Sequence, residues 1–86
     1  MEITEKDNKF LKKSEKILNE HPVHPQQVMK QYELLKDYEF DNLDDDTLNR
    51  LWITSMNLYS RQSEFEAKRA HALRYINCIR KEYANL

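Results

Sequence analysis

The chain has 86 residues, no glycine, two prolines, one cysteine, 40% hydrophobic and 34% charged residues, and a formal charge of −1. That length supports one small domain near the lower limit of independent stability. Phosphate-cradling loops, dinucleotide-binding fingerprints, nucleophile elbows and two-residue β-hairpins all use glycine for positive φ or close backbone approach, so its absence disfavours them and points to an all-α protein.

Charge is unevenly spread. Residues 1–20 balance five lysines against five acids; residues 21–46 carry two lysines against seven acids, a net −5; residues 47–86 carry seven Lys or Arg against three Glu, a net +4. Two elements of opposite sign that attract each other explain this pattern, as does a basic surface for nucleic acid.

In chain order, Thr4 is placed to cap a first helix, which the spacing of Phe10, Leu11, Ile17 and Leu18 extends to about Asn19. Lys9, Lys12, Lys13 and Lys16 gather on the opposite side as a basic face. His21-Pro22-Val23-His24-Pro25 breaks this helix, and Pro25 suits the first position of a second one running to about Glu39, with Val28, Tyr32 and Leu35 inward and Glu33 and Asp37 outward. Asp41-Asn42-Leu43-Asp44 reads as a short connection between antiparallel helices, and Asp44 to Asp46 fit the positively polarised start of a third.

From Thr47 onward the chain has neither glycine nor proline. A seven-residue series of Leu51, Leu58, Phe65, Ala72, Ile79 and Leu86 is wholly apolar, whereas its companion, Leu48, Ser55, Gln62, Arg69, Ile76 and Tyr83, is polar through the middle. One uninterrupted helix of this length would be about 60 Å long, against about 30 Å for a compact domain of this size. Two arrangements follow. The chain bends near Ser60 to Ser63 and closes a four-helix bundle, or a long third helix projects an arm over residues 64–86 whose apolar face pairs with a second copy or another protein.

No constellation for catalysis stands out. Glu15, Glu33, Glu64 and Glu66 fall at positions expected to be exposed, and no Ser/His/Asp arrangement is indicated. His21, His24, His71 and Cys78 lack the tight spacings of a zinc site, so no metal or cofactor is assigned. The lone Cys78 fits a reducing compartment, and no apolar run of membrane-spanning length or signal-peptide pattern is present, so a cytoplasmic location is expected. Trp52 is expected in the core beside Leu35 and Tyr38.

Arg61, Lys68, Arg69, Arg74, Arg80 and Lys81, interleaved with Tyr59, Phe65, Tyr75 and Tyr83, offer cations and stacking platforms to a nucleic acid. Most of these charges flank the apolar series, where a partner helix uses them equally well. Leu58-Tyr59-Ser60-Arg61, followed by a charged helix ending in Lys81-Glu82-Tyr83, resembles the central helix of phage recombination mediators, which help load a recombinase on single-stranded DNA. The resemblance covers under half the chain, and what it implies is a nucleic-acid accessory role as the alternative function.

The sequence therefore reads as a single all-α domain over residues 1–86, an antiparallel helical hairpin packed on a long third helix. Its expected function is non-enzymatic protein–protein interaction as a homo-oligomer, most simply a dimer, that adapts, inhibits or scaffolds a protein partner. Phe65, Ala72, Leu73, Ile76, Ile79 and Tyr83 are the expected interface, and Glu33, Asp37, Asp41, Asp44 and Asp45 a second, acidic partner surface. Neither a membrane nor a small-molecule substrate is expected.

Overall fold

Thr4, Pro25, Asp44 and Ser63 mark the starts of four helices, each by local chemistry. The computed structural model describes residues 2–57 and 61–86, and within them α1 spans Glu5–Leu18, α2 Pro25–Asp37, α3 Asp45–Ser55 and α4 Glu64–Ala84. The Thr4 hydroxyl accepts the Asp7 N–H at 3.3 Å, and the Asp44 carboxylate accepts that of Thr47 at 2.8 Å. Pro25 opens α2, where its missing N–H is no loss, while Ser63 precedes α4 in extended geometry with Glu64 and Glu66 in the first turn. No strand and no positive φ occur among the described residues.

The arrangement departs from the expectation of a long third helix with a free arm. α3 ends at Ser55, and the chain returns as α4. Of the segment expected to bend, Arg61 to Ser63 are non-helical, while Ser60 lies outside the described residues. α4 is the helix against which α1, α2 and α3 all pack. At 21 residues it is about 31 Å long, which fits inside a molecule with a longest dimension of 36 Å and a radius of gyration of 12.7 Å. Turning the chain back places Ala72, Ile76 and Ile79 at 0% exposure, with Tyr75 and Tyr83 buried beside them. Fully burying a large apolar side chain stabilises by about 1.5–3 kcal/mol, whereas loop closure grows only logarithmically costlier with length. The fold therefore fills its core with the residues expected to await a partner.

The core joins these α4 residues to Leu11 and Leu18 of α1, Val28 and Leu35 of α2 and Leu51 of α3. Trp52 packs against it as expected, and its ring neighbours are Tyr32 at 5.0 Å, His71 at 4.2 Å and Tyr75 at 4.8 Å between centroids. Tyr38 instead stacks on Phe10, centroids 3.8 Å apart. Tyr38 is the first residue past α2 and already has extended geometry.

A buried carboxylate fastens the ends of this core. Asp7 accepts the Tyr38 hydroxyl at 2.7 Å, the Asp41 N–H at 2.8 Å and the Tyr83 hydroxyl at 3.1 Å. Three donors from the α2–α3 connection and α4 thus replace the water that a carboxylate loses on burial.

Because Ile76 fills the centre rather than a free seam, Ile76→Ala should lower stability by about 2–5 kcal/mol. A fall in the urea midpoint followed by far-UV circular dichroism measures it; an unchanged midpoint would place Ile76 outside the core.

Candidate interaction surfaces

The residues that were candidates for partner or nucleic-acid contact divide by what the fold does with them. Among the apolar set, Ala72, Ile76, Ile79 and Tyr83 are buried within the chain, and Phe65 and Leu73 are half-buried. A dimer through this face would require the core to open.

The cations of α4 are largely committed to neighbouring helices. The Arg69 Nε donates to the Leu18 carbonyl at 2.5 Å, satisfying one of the acceptors that a helix C-terminus leaves open at the end of α1. Arg74 donates to the Asn57 carbonyl just beyond α3. Arg80 pairs with Glu15 of α1, and this pairing holds its guanidinium above the ordinary value. Lys68 lies 3.4 Å from Glu64 and 5.0 Å from the Tyr32 ring centroid. Arg61 and Lys81 are exposed. The basic character read from the sequence thus belongs mainly to contacts that hold α4 in place. On the same helix, Glu82 receives Arg50 of α3 at 2.8 Å.

The acidic candidates divide similarly. Asp41 accepts Lys6 and the Thr4 hydroxyl, each at 2.7 Å, which lowers its pKa, and Asp44 is lowered by the Thr47 amide it caps. Glu33, Asp37 and Asp45 are exposed. Ile53 of α3, 69% exposed, and Met56 just past its end, 48% exposed, are further apolar surface.

A concavity lies between α1 and α2, where the sequence had placed only the two sides of separate helices. This groove, about 310 Å³ in volume, is lined by Ile17 and Leu34, by Lys13 and Lys30, by Gln27 and Gln31, and by Glu20. Leu34 is 47% exposed. Gln31 donates to the Ser14 hydroxyl at 2.6 Å in a buried bond between the two helices, so the groove is already shaped in the free protein. Along α1, Lys9, Lys13 and Lys16 recur at i, i+4 and i+7 and, with Lys12, are exposed; none forms a salt bridge among the described residues. Their spacing was visible in the sequence. The groove was not, since it depends on how Ile17 and Leu34 come together across two helices.

A second polar constellation lies inside. His71 is fully buried, its Nε2 2.9 Å from the Trp52 carbonyl and its Nδ1 2.9 Å from the Tyr32 hydroxyl. A carbonyl only accepts, so Nε2 carries the proton and Nδ1 accepts from Tyr32. This assignment links α2, α3 and α4 through one neutral imidazole. Burial is the main cause lowering its pKa; the Trp52 carbonyl opposes the shift and Arg74 adds to it. Tyr75, beside the same cluster, is pushed up to about 12 by burial. No base, nucleophile and open pocket converge here, and the His71 ring nitrogens are both engaged.

No family model, curated protein or solved structure matches the chain. Of the segment that resembles recombination mediators, Leu58, Tyr59 and Ser60 lie outside the described residues. Among the described residues no helix is long and apolar enough to cross a membrane.

A histidine whose folded pKa lies below its unfolded value of 6.5 contributes stability above that value and loses it as pH falls. The urea midpoint should therefore decline from pH 7 to pH 5. His71→Gln, which keeps one donor and one acceptor without a titrating ring, should flatten that decline; an equally steep decline in the variant would dissociate it from His71.

Proposed function

We propose that this protein is a non-enzymatic protein-interaction module that engages its partner with the outer surface of the α1–α2 hairpin. The supporting observation is the groove between these helices, where Ile17 and half-exposed Leu34 meet solvent beside Lys13 and Lys30. Partner-binding surfaces commonly join a modest apolar centre to a polar rim, and a preshaped site reduces the ordering cost of association. The module adapts, inhibits or scaffolds its partner from the α1–α2 side, while α4 serves as the internal support. Glu33, Asp37 and Asp45 are exposed and add acidic contacts. The lone Cys78 fits a reducing, cytoplasmic setting.

The nucleic-acid role attached to the C-terminal helix draws less support, because Arg69, Arg74 and Arg80 are spent on α1 and on the chain beyond α3. Phosphate contacts require cations free to displace counterions.

Capture from a host lysate on immobilised protein, with and without nuclease, tests the reading against the variants Leu34→Asp and Ile53→Asp. A protein retained by the wild type and by Ile53→Asp, lost with Leu34→Asp and indifferent to nuclease is the expected result. Retention that disappears with nuclease, or that follows Ile53 instead of Leu34, would overturn it. Matching circular dichroism spectra of the three proteins establish that Leu34→Asp is folded, as its exposure implies.

A further inference from the structure

Lys13 and Lys30 face the groove from different helices, and the cationic surface continues from Lys13 along α1 to Lys9 and Lys16. On α2, Glu33, Lys36 and Asp37 are also exposed, so the unbroken row of lysines is the one on the α1 side of the groove. Ile17 and Leu34 supply apolar surface between the two lysines. These features combine a narrow apolar strip with cations on both sides.

From this juxtaposition, and resting on the interaction role proposed above, we infer that the α1–α2 groove receives an acidic amphipathic helix from a partner protein. An apolar side chain of that helix covers Ile17 and Leu34. Carboxylates one turn away on either side pair with Lys13 and Lys30, and further acids reach Lys9 and Lys16.

Three physical arguments select this occupant. Two packed helices present ridges and grooves that a third helix complements, and residues at i, i+3 and i+4 of a helix share one face. A strand would need an exposed sheet edge, and the described residues contain no strand. A phosphodiester backbone would match the lysines but leave Ile17 and Leu34 uncovered. A second copy docked by the same face would set the Lys9, Lys13 and Lys16 row against its own counterpart, which opposes association at low salt.

The partner's sequence is therefore constrained before its identity is known: an apolar residue with Asp or Glu three or four positions to each side, in a segment of at least two helical turns. Since the lysines are exposed, they steer and select, while coverage of Leu34 sets the residence time.

Selection from a displayed library of randomised 16-residue peptides, using the full chain as target and Leu34→Asp as counter-target, reads the preference directly. Enriched peptides should carry the acidic i, i+3/i+4 pattern around an apolar residue. A synthetic peptide of the enriched sequence should bind about tenfold more weakly to Lys13→Glu/Lys30→Glu and to Leu34→Asp, weaken with added salt, and bind Ile53→Asp as it binds the wild type. No enrichment, enrichment of basic or patternless peptides, or binding indifferent to Lys13, Lys30 and Leu34 would overturn the inference. So would tight binding of a single-stranded oligonucleotide lost on Lys13→Glu/Lys30→Glu, or dimerisation of the free chain that Leu34→Asp abolishes. If lysate capture depends on Leu34 while acidic peptides fail, the interaction role survives and only the assignment of its occupant falls.

Discussion

The burial of Ile76 and Ile79 against three other helices is the constraint on which the rest of this protein depends. Small domains have little apolar surface to spare, and α4 contributes the most extensive apolar face in the chain. Once that face is enclosed, each other helix is positioned by what it brings to α4: Leu11 and Leu18 from α1, Val28 and Leu35 from α2, Leu51 from α3. The polar contacts follow the same plan. Arg69 reaches the end of α1, Arg80 reaches Glu15, and Arg50 of α3 reaches Glu82. Surface ion pairs such as Arg80–Glu15 and Arg50–Glu82 each contribute about 0–1 kcal/mol, so their role is to choose orientation and register after burial has supplied the driving force.

Local signals in the sequence were faithful guides to the starts of the first three helices, and the reason is that capping chemistry is itself local. Thr4, Pro25 and Asp44 act within three or four residues of where they stand. The return of the chain after Ser55 had no such marker. The sequence holds no glycine to announce it. The seven-residue apolar series crossed the loop as though it were helix, yet within α4 only Ala72 and Ile79 of that series are fully buried. The face that faces inward includes His71 and Tyr75, residue types that a search for aliphatic repeats passes over. Counting them as interior requires knowing that Tyr32 and the Trp52 carbonyl are there to receive the imidazole.

Surface chemistry was legible in the same uneven way. A row of lysines at helical spacing on α1 is a property of one segment and can be read from it. An arginine on α4 is different: whether it meets water, a phosphate or the carbonyl of Leu18 depends on where a segment 51 positions earlier ends. Within the last third, Arg69 and Arg80 reach α1 and not the acidic segment of residues 21–46. The groove formed by Ile17 and Leu34 is likewise a product of pairing, with the Ser14–Gln31 bond fixing the helices that create it.

The hydrogen bond from Tyr83 to Asp7 joins positions 76 apart in the chain and lies at one edge of the direct α1–α4 packing. Its consequence is mechanical. Tension applied between the first and last helices would be borne by that junction before any connecting turn was drawn taut. The turns are bypassed by the shortest route through the molecule, and resistance to extension would reside in a buried carboxylate and the side chains packed around it.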